Sequence, residues 1–511
     1  MDSRSKNGAR NAVAGMANRS MLMILPFISR TVIIYTLGSQ YLGLSSLFTS
    51  ILTVLNLSEL GFGSALVYSM YKPVSSNDKA KICAYLNLYK KIYKYIGFAI
   101  LAGGVIFAPF LHYIIKSDLP GDVNLYVIYF VFLGNAVISY FAYAHKKALL
   151  TAYQRSDVLS NVNTVISIVT NVSQILILLL LANYYVYVLV LPVFTIVDNI
   201  WINYITKKRY PEITTKGGIT KEEKDKIKQH VKGIALQKAA STSRNTFANI
   251  IISMFLGLTS IAKYGNYYYI MDAIHSFLYQ IPNAIRASVG NSVASESMDK
   301  NYKDFNAMYL LYMWISGWCT TCLICLFQPF MKLWMGKEMM FPMLTVILIC
   351  LYFVLLCLSD IIALYKDGAG LWWQGRFRVV IEVVANLILS FLFGWLWGVN
   401  GILIAPIITI TFIGHVYGGY IIFHYYFIGK SFVKFLGNQV ALLSIIGIVS
   451  AISYYLLHLL SVEGALLFIV YLLFLLTVTN IFYWMLFRMH PHYKKSMTFA
   501  KNIVLTIGKR K

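Results

Sequence analysis

Four arginines lie within or at the start of long apolar stretches of this sequence: Arg19, Arg30, Arg244 and Arg286. An arginine near the middle of a membrane costs at least about 2.5 kcal/mol, so its side chain should face a protein interior or an aqueous cavity. Guanidinium groups bind phosphate and carboxylate oxygens through paired hydrogen bonds. Because few carboxylates lie in the same stretches, the four arginines predict a positively charged cavity that binds an anionic cargo.

The spacing of the first two arginines places them on one face of one helix. Arg19 and Arg30 are eleven residues apart, which is about three helical turns and roughly 16 Å along the axis. They would line one wall of the cavity at two depths. For Arg19 and Arg244 the alternative is a position at the membrane interface, where the long side chain reaches water.

A line of polar side chains runs along a later apolar stretch. Asp272, Tyr279, Asn283 and Arg286 fall within about 40° of one line on a continuous helix, and its two ends lie about 20 Å apart. Pro282 lacks a backbone N–H, as is common where membrane helices bend around a site. We therefore predict that Tyr279, Asn283 and Arg286 bind the cargo. The alternative is that they hold neighbouring helices together.

The acidic residues of the apolar stretches are candidates for counter-ions or for coupling to a proton or sodium gradient. They are Glu59, Asp198, Asp272, Asp360 and Glu382. For Glu59, beside small residues, a role as counter-ion to Arg19 or Arg30 is favoured over proton coupling. Glu382 follows Arg378 by four residues, so the two could instead pair along one helix.

The elements that position these residues are predicted to be membrane-spanning helices. Of the 511 residues, 58% are hydrophobic and 13% are charged, outside the range of soluble domains. A span needs about 20 apolar residues. That criterion predicts an all-α polytopic protein of about fourteen helices, with twelve as the alternative. The predicted spans are 13–38, 41–71, 92–115, 124–145, 158–182, 184–206, 239–262, 265–293, 307–330, 342–365, 377–398, 400–424, 435–459 and 463–488.

The basic residues predict the orientation of these spans. With the N-terminus inside, the only basic residues in outer loops are Lys116, Lys263, Lys332 and Lys337. This asymmetry is the positive-inside pattern, so the net charge of +24 indicates topology and contact with anionic lipids. Nucleic acid is not an expected partner, because the longest hydrophilic segment is too short for a basic domain.

An internal duplication is indicated by a motif that occurs twice. Residues 189–196 and 403–410 both read L-x-x-P-x-x-T-I, around Pro192 and Pro406. Further matches in the same order predict two six-helix lobes in a parallel repeat, with the substrate site between them. The predicted parts are an N-lobe (1–206), a cytoplasmic linker (207–238), a C-lobe (239–430), and a C-terminal helix pair with a basic tail (431–511).

Enzyme motifs and metal-binding motifs are missing from the sequence. It has no H-E-x-x-H, no phosphate-binding G-x-x-x-x-G-K-[ST] and no G-x-S-x-G elbow. Cys319, Cys322 and Cys325 have a spacing seen in iron–sulfur proteins, but on one continuous helix they cannot surround a cluster. The sequence therefore predicts a protein that is not an enzyme and has no resident cofactor or metal. Uphill transport by it would be driven by a Na⁺ or H⁺ gradient or by consumption of its substrate.

Several segments resemble one known family. The R-x10-R helix and the following YLGLSSLFTSILTVLNLSELGFGSALVYSMYK are similar to the polysaccharide transporter family of the multidrug/oligosaccharidyl-lipid/polysaccharide exporter superfamily. ALLTAYQR at 148–155, FANIIISMFLGLTSIAKYGNYYYI at 247–270, KLWMG at 332–336 and G-x-x-W-Q-G-R-F-R at 370–378 extend the resemblance over the whole chain. These motifs identify the family better than the substrate.

The resemblance implies a fourteen-helix, two-lobed flippase that alternates between inward-facing and outward-facing states. Its cargo would be an undecaprenyl-pyrophosphate-linked oligosaccharide, moved to the outer leaflet of a bacterial cytoplasmic membrane. Arg19, Arg30 and Arg286 are similar by helix and depth to cavity arginines of related lipid II flippases. Expected partners are membrane lipids, a polysaccharide polymerase and glycosyltransferases, with the protein itself a monomer.

Two other functions compete with this one. A cation-coupled multidrug exporter of the same superfamily would have a similar fold, but buried arginines would repel a cationic cargo. A membrane-embedded glycosyltransferase or acyltransferase should show a catalytic carboxylate or histidine in a sizeable loop, and the predicted outer loops are short.

The predicted topology can be tested by cysteine labelling. We expect a membrane-impermeant thiol reagent to label Lys337→Cys, and cysteines at Ser117 and Val462, in intact cells of a strain expressing the protein. Gly217→Cys should react only after the cells are permeabilised, because the linker and both termini are predicted to be cytoplasmic. Labelling of Gly217→Cys in intact cells would contradict this orientation.

Overall fold

A computed structural model describes residues 24–59, 61–116, 119–459 and 464–508. Side-chain surroundings are described for these residues except 57, 58, 229, 230, 232–245, 464–467 and 502–508. The regular structure in the described ranges is helical throughout. The all-α prediction is confirmed. Arg19 lies outside the described residues.

Among the described residues, the first half of the chain forms ten α-helices. They are α1 (Ile24–Thr36), α2 (Ser39–Leu55), α3 (Phe62–Ser75), α4 (Lys79–Phe107), α5 (Leu111–Ile114), α6 (Leu125–Phe141), α7 (Ala144–Ala152), α8 (Ser156–Leu181), α9 (Tyr184–Arg209) and α10 (Lys221–Leu256).

The second half continues the same pattern. Its helices are α11 (Leu258–Leu278), α12 (Gln280–Ser295), α13 (Met298–Met335), α14 (Met343–Gly368), α15 (Arg376–Trp397), α16 (Val399–Thr409), α17 (Gly418–Tyr425), α18 (Phe432–His458), α19 (Gly464–Phe487) and α20 (Tyr493–Gly508), with a π-helix at Ile410–Tyr417 between α16 and α17.

Short polar side chains set where many of the helices begin. Such side chains accept hydrogen bonds from backbone N–H groups that have no partner within the helix. Thr220 and Glu223 form a reciprocal capping box at the start of α10. A hydrogen bond from the Lys81 side chain also holds the pKa of Glu223 below its ordinary value. The other side-chain caps are Asp78, Asn124, Asn183, Ser297 and Ser431.

The protein is a multi-pass membrane protein. Among the described residues, nine helices are long and apolar enough to cross a membrane, or ten if the bent pair α6–α7 is one span. Many carry large apolar side chains on an exposed face, such as Val165, Val169, Val172 and Leu176 of α8. Such surfaces need an apolar environment, because water disfavours large exposed apolar patches. The remaining predicted spans lie on helices that are shorter or more polar, so the count of fourteen stays a prediction.

Three predicted boundaries differ from the helices of the structure, and at two of them a glycine interrupts the helix. The second predicted span is broken by a 3₁₀ turn at Asn56–Glu59 and by Gly61, which has a positive φ of 93°. Gly257, with φ 79°, ends α10, so Lys263 lies inside α11 rather than in an outer loop. The predicted linker, 207–238, is mostly helical, since α9 continues to Arg209 and α10 begins at Lys221.

The chain divides into two compact units, residues 1–262 and 263–511. The helix predicted to begin the C-lobe, α10, lies in the first unit. There the backbone of Leu258, just after α10, lies so close to Gly43 of α2 that a Cβ at residue 43 would be 2.1 Å from the Leu258 oxygen. Asn249 of α10 also donates a hydrogen bond to Ser50 of α2 at 2.9 Å. Pro192 and Pro406 lie inside α9 and α16, and the repeat of lobes stays a prediction.

In the second unit the C-terminal helices pack against the long helix α13. The Trp318 Nε1 donates to the Leu475 carbonyl at 2.9 Å, and Thr321 shares a hydrogen bond with Ser450 at 2.7 Å. Cys325 is buried in an apolar cluster with Leu457. The three cysteines of the C-x2-C-x2-C run are free and lie on one continuous helix, as predicted.

A close backbone contact in this unit leads to a stability prediction. A Cβ added at Gly401 would lie 1.9 Å from the Phe393 backbone oxygen. A Cβ added at Gly437 of α18 would have no neighbouring atom within 4 Å. We expect Gly401→Ala to lower the thermal unfolding midpoint of the purified protein, through a loss of about 1–3 kcal/mol from overpacking. Gly437→Ala is the matched control and should not lower it. Equal midpoints for the two variants would contradict the packing of α15 on α16.

Candidate functional site

The guanidinium of Arg286 is held at the meeting point of three helical segments in the second unit. Its Nη1 donates to the Asp367 Oδ2 at 3.0 Å, and its Nη2 donates to the Tyr279 hydroxyl at 2.9 Å. Arg286 lies on α12, Tyr279 lies at the junction of α11 and α12, and Asp367 lies near the end of α14. Of the predicted residues, Tyr279 and Arg286 are therefore brought together, and their partner Asp367 was not predicted.

The local sequence explains the position of Tyr279. Pro282 cannot donate a hydrogen bond to the Leu278 carbonyl, and its ring crowds that group. The helix accordingly ends at Leu278 and α12 begins at Gln280. The predicted continuous line of polar residues is therefore divided, with Asp272 exposed on α11. Tyr279 and Arg286 stay aligned because they are seven residues apart, which is about two turns.

A close approach of two helices brings Asp367 to Arg286. A Cβ at Gly368 of α14 would lie 3.6 Å from the Cα of Gly290 on α12. Residues without side chains at both positions let the helix backbones approach closely. This contact places the carboxylate of Asp367 beside α12. The Trp372 Nε1 donates a hydrogen bond to the other carboxylate oxygen, Oδ1, at 3.1 Å.

The charges of the site leave it open to an anion. Asp367 has 13% of its side chain exposed, whereas Arg286 has 39% exposed. The buried Lys366 places its Nζ 3.9 Å from the Asp367 Oδ1, so two cations surround one carboxylate. Asn283 of α12 is exposed. The arrangement can bind a phosphate through Arg286, with Tyr279 and Asn283 as further polar groups.

Two of the other predicted arginines, Arg30 and Arg244, lie on helices of the first unit. Arg30 is half-buried on α1 of the first unit, near enough to the buried Tyr187 of α9 for an electrostatic interaction. Arg244 lies well inside α10 and not at its start, but its side chain is not described. The cargo-binding roles of Arg19, Arg30 and Arg244 stay predictions.

Asp360 forms a polar cluster with two residues from other helices of the second unit. Its Oδ2 lies 3.1 Å from the His275 Nε2 of α11 and accepts a hydrogen bond from the Tyr312 hydroxyl of α13 at 3.1 Å. Both members of the His275–Asp360 pair are largely buried, with 17% and 13% of their side chains exposed. A carboxylate and an imidazole in contact can exchange a proton. His275 was not among the residues predicted from the sequence.

The remaining predicted carboxylates have partners of three kinds. Glu59 accepts hydrogen bonds from Tyr140 and, at 2.5 Å, from Tyr93. Asp198 of α9 is paired with Lys147 of α7 at 2.5 Å. Glu382 is paired with Arg378 at 3.1 Å along α15, as the alternative interpretation predicted. Among the described residues, no three His, Cys, Asp or Glu form a group that could hold a metal ion.

Comparison with known proteins identifies the fold. No family model and no curated protein matches the chain. The lipid II flippase MurJ, in an inward closed conformation, gives a TM-score of 0.67 at 14% identity, over 94% of this chain and 98% of MurJ. An inward-facing MATE family multidrug resistance transporter of the MOP superfamily gives a TM-score of 0.61 at 13% identity, over 79% of this chain and 97% of the transporter. The eukaryotic MATE transporter AtDTX14 gives a TM-score of 0.55 at 13% identity, over 84% of this chain and 96% of AtDTX14. The chain has the fold that these proteins share.

The ion pair of the site can be tested by a double-mutant cycle. We expect Asp367→Asn to lower the unfolding midpoint, through a loss of roughly 1–3 kcal/mol, because a mostly buried charged acceptor is removed. Its effect should shrink in an Arg286→Leu background, since the two groups interact directly. Asp299→Asn, which removes an exposed pair with Lys430, is the control and should have little effect. Additive effects of Asp367→Asn and Arg286→Leu would contradict a stabilising pair.

Proposed function

We propose that the protein is a flippase that moves an undecaprenyl-pyrophosphate-linked oligosaccharide from the cytoplasmic to the outer leaflet of a bacterial membrane. Two observations support the proposal. The chain shares its fold with a lipid II flippase over nearly its whole length. The half-exposed Arg286, with Tyr279 and Lys366 nearby, offers an anion a binding group within a membrane protein.

The chemistry of the proposed cargo fits that of Arg286. A pyrophosphate has several negative charges and planar sets of oxygens, which a guanidinium binds through two hydrogen bonds. Asp367 holds the guanidinium in place before the cargo arrives and competes with the phosphate for it. That competition weakens binding, which favours release after transport. Arg19, Arg30 and Arg244 would add positive charge, Tyr279 and Asn283 would contact sugars, and the lipid tail would stay in the bilayer.

Energy for uphill transport would come from a proton or sodium gradient. The Asp360–His275–Tyr312 cluster is the best-supported coupling site, because it joins α11, α13 and α14 around a carboxylate and an imidazole, two groups that change charge on protonation. Glu59, between two tyrosine hydroxyls, is a second candidate. Asp198 and Glu382 are weaker candidates, because each is already paired with a basic side chain.

The alternative function is a cation-coupled multidrug exporter. The similarity to MATE transporters favours it as far as the fold is concerned. The excess of positive charge at Arg286 opposes it, because a cationic drug would be repelled there. A membrane glycosyltransferase or acyltransferase has no specific observation in its favour.

Transport assays with arginine variants test the proposal. In proteoliposomes that contain a fluorescent undecaprenyl-pyrophosphate-linked sugar, we expect Arg286→Ala to lower the initial flipping rate at low substrate by roughly 10–100-fold, the effect of one charge-assisted contact. Arg286→Lys should recover part of the rate, since lysine keeps the charge and loses the paired hydrogen bonds. Arg30→Ala should behave like Arg286→Ala.

Arg376→Ala is the matched control. Arg376 begins α15 in the same unit, stacks on Trp373 at 3.9 Å and donates to the Trp373 carbonyl at 2.8 Å. Its guanidinium is not part of the Arg286–Asp367 pair, so its variant should flip the lipid at the normal rate. The amount of folded protein is measured for every variant by gel filtration. Normal flipping by Arg286→Ala would contradict the proposed role. Export of a cationic dye, with no movement of the lipid-linked sugar, would support the exporter instead.

A further inference from the structure

The first unit contains a cavity of about 750 Å³. It lies between α4, the turn from α6 to α7, α9 and the connector that follows α9. Lys90, His145, Lys146, Asn203 and Lys207 are among the residues that line it. A volume of this size is typical of pockets that bind a small molecule.

The cavity gathers positive charge from three different helices. Lys90 lies on α4, Lys146 on α7 and Lys207 on α9. Within the part of the chain that the structure describes, no Asp or Glu forms an ion pair with any of the three. Like charges in close proximity repel each other, and the repulsion grows as water is excluded. Lys90 and Lys207 are exposed, so solvent screens their charges, whereas Lys146 is buried close to both. A bound anion would therefore offset mainly the cost at Lys146.

Lys146 makes the strongest case for a ligand. Its side chain is only 8% exposed, and a buried charge is rarely found without a partner. The next residue, Lys147, has a carboxylate partner in Asp198 at 2.5 Å. The chain thus neutralises one of two adjacent lysines and leaves the other facing the cavity.

Other polar and aromatic groups complete the cavity. The Oδ1 of Asn203 is buried and has no hydrogen-bond partner among the described residues, so it is available to a hydroxyl group of a ligand. Tyr143 and Tyr210 line the walls, and Tyr210 is held by a ring contact with Tyr153 at 4.3 Å. The cavity therefore combines positive charge with a free acceptor and aromatic surface.

Specific contacts fasten the connector that closes one side of the cavity. The Thr214 backbone N–H donates to the Cys83 Sγ at 3.2 Å, and the Asn87 Nδ2 donates to the Gly217 carbonyl at 2.7 Å. Glu212 of the connector pairs with Lys79, which lies on α4 together with Cys83 and Asn87. The cavity is therefore formed before any ligand binds, which lowers the entropic cost of binding.

We propose that this cavity is a binding site for a phosphate group, carried either by a soluble phosphorylated molecule or by the headgroup of an anionic phospholipid. Lysine ammonium groups bind phosphate as point charges, and three of them match the charge of a phosphate or pyrophosphate. The site lies wholly in the first unit and does not involve Arg286. It is independent of the proposed function.

Matched lysine pairs test the site with a soluble probe. Lys90 and Lys207 each have an exposed neighbour that does not line the cavity, Lys91 and Lys208. Binding of inorganic pyrophosphate to the purified full-length protein is measured by calorimetry at constant ionic strength. We expect the double variant Lys90→Gln/Lys207→Gln to bind roughly 10–100-fold more weakly than the wild type. Lys91→Gln/Lys208→Gln has the same net charge and should bind normally.

A second arm distinguishes a lipid headgroup from a soluble phosphate. The same proteins are reconstituted into phosphatidylcholine vesicles with or without phosphatidylglycerol, and their unfolding midpoints are compared. A rise caused by phosphatidylglycerol, lost only in the Lys90/Lys207 variant, would identify the ligand as a lipid. Selective loss of pyrophosphate binding alone would identify a soluble phosphate. The proposal is refuted if the two double variants have the same pyrophosphate affinity and the same midpoint shift with phosphatidylglycerol. Binding of pyrophosphate only at Arg286 would give that result.

The buried lysine supplies an independent measurement. We expect Lys146→Met to raise the unfolding midpoint without ligand, because it removes an unpaired buried charge and keeps the packing volume. The same variant should lose the rise in midpoint that pyrophosphate or phosphatidylglycerol causes in the wild type. A variant that keeps this rise would show that Lys146 does not contact the ligand and would overturn the site.

Discussion

The cost of an unpaired charge in an apolar environment governs where the ionic side chains of this protein lie. Arg286 pairs with Asp367, Arg378 with Glu382, and Lys147 with Asp198. Two of these pairs join residues on different helices, so each also holds those helices in place. Because a charge inside the membrane needs a partner, helices that carry the two members of a pair must pack next to each other.

Helix interruptions lie beside the polar residues that the function would use. Glu59 belongs to a 3₁₀ turn that ends just before Gly61, and Tyr279 lies at the break between α11 and α12. Irregular backbone is tolerated at membrane depth only where protein or an aqueous cavity surrounds it. In this protein tyrosine, asparagine and carboxylate side chains are found at these places. The same sequence features that break the helices thus also present groups able to bind a polar cargo.

Two kinds of cationic site occur in the two units, and their chemistry differs. Arg286 is oriented by Asp367 and Tyr279, so under the proposed function a cargo must compete with a resident carboxylate. Competition of this kind suits a site that binds and releases in every cycle. The lysines around the cavity of the first unit have no such competitor among the described residues. A ligand there would stay bound longer, which suits a structural or regulatory role better than transport.

Sequence alone determined the class of the protein. The apolar runs are long enough that only helices can satisfy their backbone hydrogen bonds in a membrane, so the all-α multi-pass fold followed from length and composition. The alignment of Tyr279 with Arg286 also followed, since residues seven apart on a helix share a face. The pairing of Arg378 with Glu382 was predicted as an alternative for the same reason.

Only the tertiary structure decided which distant residues meet. Asp367 is the partner of Arg286 because α14 and α12 approach at Gly368 and Gly290, a contact between residues far apart in sequence that no helical periodicity predicts. The pairing of His275 with Asp360 and the gathering of lysines around the cavity likewise depend on which helices are neighbours. The periodicity of a helix predicts the face on which a side chain lies, but the packing of helices against each other determines which residues that side chain contacts.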